Sequence, residues 1–347
     1  MKSKAAILVE QRRPLVIEDV EIPALKLGQV LVRMIASGIC GSQVGEIEGV
    51  KGPDRHLPHL LGHEGCGEVL DVGEGVRTAK AGDRVVLHWR KGTGLESVTP
   101  VFRSRLGPVN AGWVTTFNEY AVVSENRVTV VPPDFDPEVA ALFGCAVTTG
   151  FGVVTNDARL AIGESIAIFG AGGIGLNIVQ GAALAGAYPI IALDRFANRL
   201  ELARSFGATH TFDVTAVDAV AEIRHVVGGD GVDVAVDNTG NVEVIALASR
   251  ITNRRGRTVL VGVPPKDSRA AIETLPLHFE QRLLGSHGGA SRPDVDIPRY
   301  VRSLAAGRLS FAGLVGRRYP LDDVTVAIGD MTSGRLAGRA IIRFSDG

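Results

Sequence analysis

Ser165-Ile166-Ala167-Ile168-Phe169-Gly170-Ala171-Gly172-Gly173-Ile174-Gly175 is the stretch that decides the fold. Its first five residues form a short apolar run that reads as a buried strand, and Ile174–Ala185 then carries the pattern of a helix. Between them Gly170, Gly172 and Gly175 fit G-x-G-x-x-G in the strand–turn–helix setting that gives this spacing meaning. The first glycine permits a tight turn, the second lets a pyrophosphate reach the backbone, and the third lets helix and strand pack closely. Amides at the helix start, from Gly172, Gly173 and Ile174, then face the phosphate charge. Asp194 ends the next strand, Ile190–Leu193, where a carboxylate accepts both ribose hydroxyls. That carboxylate repels a 2′-phosphate and so favours NAD, although Arg195 directly after it leaves a route to NADP. Arg199 reads either as a neighbour of the adenosine end or as part of a solvated helix face.

Outward from this turn the pattern alternates strand and helix. A helix through Leu200, Ala203 and Phe206 meets Gly207, and Val232–Val236 and Arg257–Val261 are further apolar strands. Such alternation predicts a doubly wound parallel sheet over residues 148–286. Residues 1–147 differ, with short apolar runs such as Val30–Met34, Gly67–Val72, Asp83–Leu87 and Tyr120–Val123 cut by Gly, Pro and Asp. They predict a barrel-like β domain, so the fold class is α/β with two domains. Residues 287–347 end in the strand-like Ala340–Phe344 and are expected to fold back on the first domain. The segment from His88 to Gly112, rich in Gly, Pro and Arg, reads as a surface loop or lobe.

Bulk properties narrow the function. The 347 residues are 45% hydrophobic and 22% charged, with 37 basic and 38 acidic side chains and a formal net charge of −1. That balance argues against a nucleic-acid or membrane-surface binder. The nearly uncharged run from Ile166 to Leu193 is divided by Gly, Asn177, Gln180 and Pro189, so it is not read as a membrane span. No targeting signal is read at the N-terminus, which makes the cytoplasm the expected location. Three cysteines, Cys40, Cys66 and Cys145, make no disulfide framework. Each is read either as a buried core residue or as a metal ligand.

Gly38-Ile39-Cys40-Gly41-Ser42, Gly62-His63-Glu64-Gly65 and Gly144-Cys145 each offer one soft or borderline ligand. Two thiolates and an imidazole suit Zn²⁺ and leave its fourth position open. Together with Gly82-Asp83-Arg84-Val85, Gly144–Gly150 and the glycine turn, these motifs resemble the zinc-containing medium-chain alcohol dehydrogenases over nearly the whole chain. The resemblance implies a GroES-like β-barrel catalytic domain and a Rossmann cofactor domain. By position it implies Cys40, His63 and Cys145 as zinc ligands, and Glu64 as a carboxylate able to approach the metal. It implies Ser42 as the hydroxyl that contacts the substrate oxygen and starts a proton relay. Thr149 would border the nicotinamide, and Arg339 would lie near the cofactor phosphates.

Three departures stand out. The family's structural-zinc lobe has four cysteines, whereas residues 88–112 have none, so one zinc per chain is expected. Many relatives carry a histidine five residues after the first zinc cysteine, where this chain has Gly45, leaving proton exit to water, Glu46 or His56. Gln43 stands in place of a frequent aspartate. The expected activity is hydride transfer between a small hydroxylated molecule and NAD, on a polyol, cyclitol or sugar-like secondary alcohol. A primary-alcohol or formaldehyde-adduct enzyme, a zinc-free quinone or enone reductase, and a non-catalytic NAD-binding protein are the alternatives. Arg90, Lys91, Arg103 and Arg105 read either as a solvated loop or as a rim for an anionic or highly hydroxylated substrate. A homodimer or homotetramer is expected.

Overall fold

Gln29–Gly38 is a ten-residue strand whose Val30, Val32, Met34 and Ala36 all point inward with a period of two. It pairs antiparallel with Glu64–Val72, Tyr120–Ser124 and Arg339–Arg343. The last pairing draws the end of the chain into the first part of the molecule. In the computed structural model, which describes residues 1–345, one compact unit is accordingly Met1–Ala146 together with the chain from Arg292 onward, and a second is Val147–Ser291. The second unit runs past Ser286 because the turn Gly288–Ala290 is tied to it. Asn156 Nδ2 donates to the Gly289 carbonyl at 2.8 Å, and Gly152 packs against the Gly289 backbone.

The first unit holds a seven-stranded sheet and a closed barrel. Lys2–Leu8, Val16–Glu21, Val101–Ser104, Gly107–Asn110 and His59–Leu60 close that barrel, which removes the exposed edges of a small sheet. The segment from His88 to Gly112, expected as a surface lobe, thus supplies two barrel strands. Phe102 and Val109 are fully buried beside Ala5, Ile7, Val20 and Leu60, while their neighbours Val101, Arg103 and Pro108 are exposed.

Polar ties hold the rest of that segment. The buried Glu125 carboxylate accepts the Arg77 and Thr78 N–H groups at 2.6 and 2.7 Å and the Leu95 N–H at 2.7 Å. The buried Arg127 donates to Glu96 Oε1 at 2.9 Å and to the Trp89 carbonyl, under the ring of Trp113.

The second unit is a six-stranded parallel sheet. Its order is His210–Asp213, Ile190–Asp194, Ile166–Phe169, Val232–Asp237, Thr252–Leu260, Arg282–Gly285. This is the doubly wound order in which ligands bind where the strand sequence reverses. The helix Gly173–Leu184 is buried along most of its length, and Ala197–Ser205 runs out at Gly207 with φ +109°. Among the described residues, no helix is long and apolar enough to cross a membrane.

Burial alone works against the charge on Glu125, but the three backbone donors prevail and hold its pKa below the ordinary value. A lowered folded pKa adds stability above the unfolded carboxylate range, and that stability is lost as pH falls through the folded value. Glu125→Gln is expected to cost about 1–3 kcal/mol at neutral pH. In denaturant titrations the gap between variant and parent should close on acidification; a gap independent of pH would show that the charge is immaterial.

Candidate active site

Cys40 caps the start of the helix Gly41–Ile47 at the end of the long strand. His63 directly precedes the strand Glu64–Val72, and Cys145 follows the helix Pro137–Leu142. The fold brings their ligand atoms within 4.8 Å of one another, the only such group of three or more among the described residues. Gly144 is required here, since a Cβ would stand 2.2 Å from the Leu87 carbonyl and 2.8 Å from Glu64 Cα.

The cluster is electrostatically tense. The Cys145 side chain, hydrogen-bonded to Cys40, holds the Cys40 thiol well below its usual range, against burial and with help from Arg339. The Cys145 thiol is pushed up by its hydrogen bond with Cys40 and by burial. Burial opposes charge on His63, but the Cys40 thiolate, with Glu64 and Glu46, outweighs it and raises its pKa. His63 Nε2 has no hydrogen-bond partner. Two sulfurs and an orphaned ring nitrogen at this spacing fit a tetrahedral zinc ion with one open position.

Glu64 stands outside the ligand group. Its Oε2 accepts the Ala146 N–H at 3.1 Å, and its Oε1 lies 3.6 Å from the Arg339 guanidinium. Burial raises its pKa and Arg339 opposes the rise. Arg339 was expected beside the cofactor phosphates. Its guanidinium is buried in the first unit, donating to the Ile39 carbonyl at 2.9 Å and lying 3.7 Å from Cys40 Sγ. The strand pairing Ile341↔Gly38 sets it there. Ser42 Oγ, one residue into the helix from Cys40, is buried without a partner.

Gln43 is the site residue that the sequence analysis undervalued. Its Oε1 accepts the Cys40 N–H at 3.0 Å, and the carboxamide stands against His63 Nδ1, the ring nitrogen that carries the proton when Nε2 is free to ligate. One fully buried carboxamide therefore fixes two of the three ligands. The local signal was present, since Gln43 occupies the third helical position after the cap, where a capping box places Glu or Gln.

The glycine turn lies wholly in the second unit. Gly170 has φ +94°, a Cβ on Gly172 would meet nothing within 4 Å, and one on Gly175 would strike the Gly170 carbonyl at 1.9 Å. The three glycines thus match turn, open cradle and close packing. Asp194 Oδ2 accepts the Ala171 N–H at 2.7 Å, and Oδ1 accepts those of Arg195 and Phe196 at 2.8 and 3.0 Å. A carboxylate has about four acceptor positions, so capacity remains for a ribose. Arg195 and Arg199 stack on Phe196, and Arg199 approaches Asp194 to 4.0 Å. Thr149 Oγ1 is buried without a partner. In the basic segment, Lys91 pairs with Glu96 and Arg105 with Glu18, so it is less free to attract an anion than its composition implied.

Comparison with known proteins agrees with this geometry. Residues 26–133 match the family described as alcohol dehydrogenase GroES-like domain, and residues 173–306 match zinc-binding dehydrogenase. S-(hydroxymethyl)glutathione dehydrogenase of Synechocystis sp. is 32% identical, over 99% of this chain and 100% of its own length. Benzyl alcohol dehydrogenase from Acinetobacter calcoaceticus superposes with a TM-score of 0.89 at 27% identity, over 99% and 100% of the two chains. The 2R,3R-butanediol dehydrogenase from Bacillus subtilis does so at 0.80 and 30% identity, with the same coverage.

Removing a hydrogen-bond partner of a metal-ligating imidazole commonly costs about 10–100-fold in metal affinity. Gln43→Leu is expected to weaken zinc binding by that order in chelator competition. Unchanged affinity would reduce Gln43 to a helix cap.

Proposed function

The chain belongs to the zinc-containing medium-chain alcohol dehydrogenase family, and we propose that it moves a hydride between NAD and a secondary alcohol or ketone of a polyol, cyclitol or sugar-like compound. The observation that carries the reading is the convergence of Cys40, His63 and Cys145 around an orphaned ring nitrogen, in a chain that also holds a complete dinucleotide turn. Likeness to a butanediol dehydrogenase, whose named substrate carries secondary hydroxyls, supports the substrate class. A second reading has its own support. The full-length relative named for S-(hydroxymethyl)glutathione favours a formaldehyde-adduct or primary-alcohol substrate.

Cys40, His63 and Cys145 would hold the zinc. Zinc, when bound, supplies a Lewis acid that makes a hydroxyl more acidic, and NAD supplies the hydride acceptor. The chain's own residues do the positioning. Ser42 offers its free Oγ to the substrate oxygen, and Gln43 holds the ring of His63. Glu64 and Arg339 keep a compensated pair of charges behind the ligands. Gly170, Gly172, Gly173, Ile174 and Gly175 take the pyrophosphate at the helix start. Asp194 takes the ribose hydroxyls, and its negative charge favours NAD over NADP.

NAD and NADP reduction across simple alcohols, formaldehyde adducts, polyols, cyclitols and sugar derivatives tests both readings. Turnover centred on the polyhydroxylated compounds with NAD is the expected result, and turnover centred on primary alcohols or adducts favours the second. Cys40→Ala and His63→Ala are expected to abolish turnover and leave NADH binding intact. Unfolding of both variants would instead mark the metal as structural.

A further inference from the structure

Oxidising a buried alcohol frees a proton that the interior must pass outward. Ser42 Oγ is buried without a hydrogen-bond partner in the first turn of Gly41–Ile47. Glu46 lies four residues on, on the same face of that helix. Side chains on a helix lean toward its N-terminus, which puts Ser42 within the reach of a Glu46 side chain. Glu46 is half-buried, and its carboxylate makes no hydrogen bond or ion pair among the described residues. Its backbone carbonyl accepts Gln11 Nε2 at 3.3 Å, which steadies the turn.

The rival groups are less well placed. Glu64 is fully buried, with Oε2 bonded to the Ala146 N–H and Oε1 3.6 Å from the Arg339 guanidinium, and so has no route of its own to solvent. Glu48 is exposed beyond the end of the helix. His56 is exposed and its ring accepts Arg55 Nε at 3.4 Å. Gly45 carries no side chain that could take the proton, and an added Cβ there would meet only Val50, at 3.7 Å.

We propose that Glu46 is the proton acceptor on the solvent side of Ser42, a role that rests on the dehydrogenase reading above. In oxidation the substrate hydroxyl gives its proton to Ser42 Oγ as Ser42 gives its own to the Glu46 carboxylate, directly or through one water. The hydride leaves the carbinol carbon with its electron pair for C4 of NAD, and the C–O bond becomes a carbonyl. Glu46 then releases the proton to solvent, so alcohol and NAD⁺ yield carbonyl, NADH and one proton. The charged groups around this path are Cys40, His63, Glu64 and Arg339 of the cluster, Glu48 after the helix, and Arg12, whose N–H bonds the Ile47 carbonyl.

Glu46→Gln and Glu48→Gln, each in the full-length zinc-loaded protein, separate the possibilities. NADH formation is followed with proton release to a pH indicator, with and without added imidazole as an external base. Glu46→Gln is expected to lower kcat about tenfold or more, to delay proton release behind NADH formation, and to recover with imidazole. Its zinc content and NADH affinity should match the parent, and Glu48→Gln should behave as the parent throughout. Parental proton release in Glu46→Gln would overturn the proposal, as would a loss of activity that accompanies zinc loss and that no base restores. A parent chain that turns over nothing on the substrate panel removes the dehydrogenase reading itself. A working parent beside an unaffected Glu46→Gln removes only the relay.

Discussion

Burial of charge around Glu64 is the constraint that organises the first unit. Glu64 is wholly buried and Arg339 nearly so, and neither charge is tolerable in the interior without the other. Bringing them together needs the end of the chain beside the strand Gln29–Gly38. Arg339 is anchored there by its own N–H to the Leu314 carbonyl and by its guanidinium to the Ile39 carbonyl. The same contact sets Arg339 against Cys40, so the interaction that fastens the C-terminal strand also shapes the field at the first ligand. Stability and chemistry share one group of side chains.

Legibility in the sequence followed the range of the forces. The glycine turn was readable because its requirements are local: a positive φ, an open cradle and a close backbone approach, all within six residues. The ligands were harder. Cys40, His63 and Cys145 have no short metal spacing, and only the joint pattern with the downstream turn made them stand out. Arg339 was read from its place in the motif order alone, and its contacts with Glu64 and Cys40 follow from a strand pairing that no local pattern encodes. The segment from His88 to Gly112 was the least readable. Its barrel strands are short, with few buried side chains, and its order draws on side chains remote in sequence, Glu125 on the Leu95 N–H and Arg127 on Glu96. No periodicity encodes such a contact.

Gln43 shows why the departures from the family pattern are coherent. Once both thiols are ionised as ligands, they and Glu64, set against Arg339, leave a net charge of about −2, which a divalent cation neutralises. A carboxylate at position 43 would add a further buried negative charge to a site already balanced. The carboxamide keeps the positioning and omits the charge. Glu46, one helical turn past Ser42 and half-exposed, carries its carboxylate where ionisation costs less. Neutral positioning within and a charged acceptor at the margin are thus two sides of one electrostatic arrangement, built on the seven residues Gly41–Ile47.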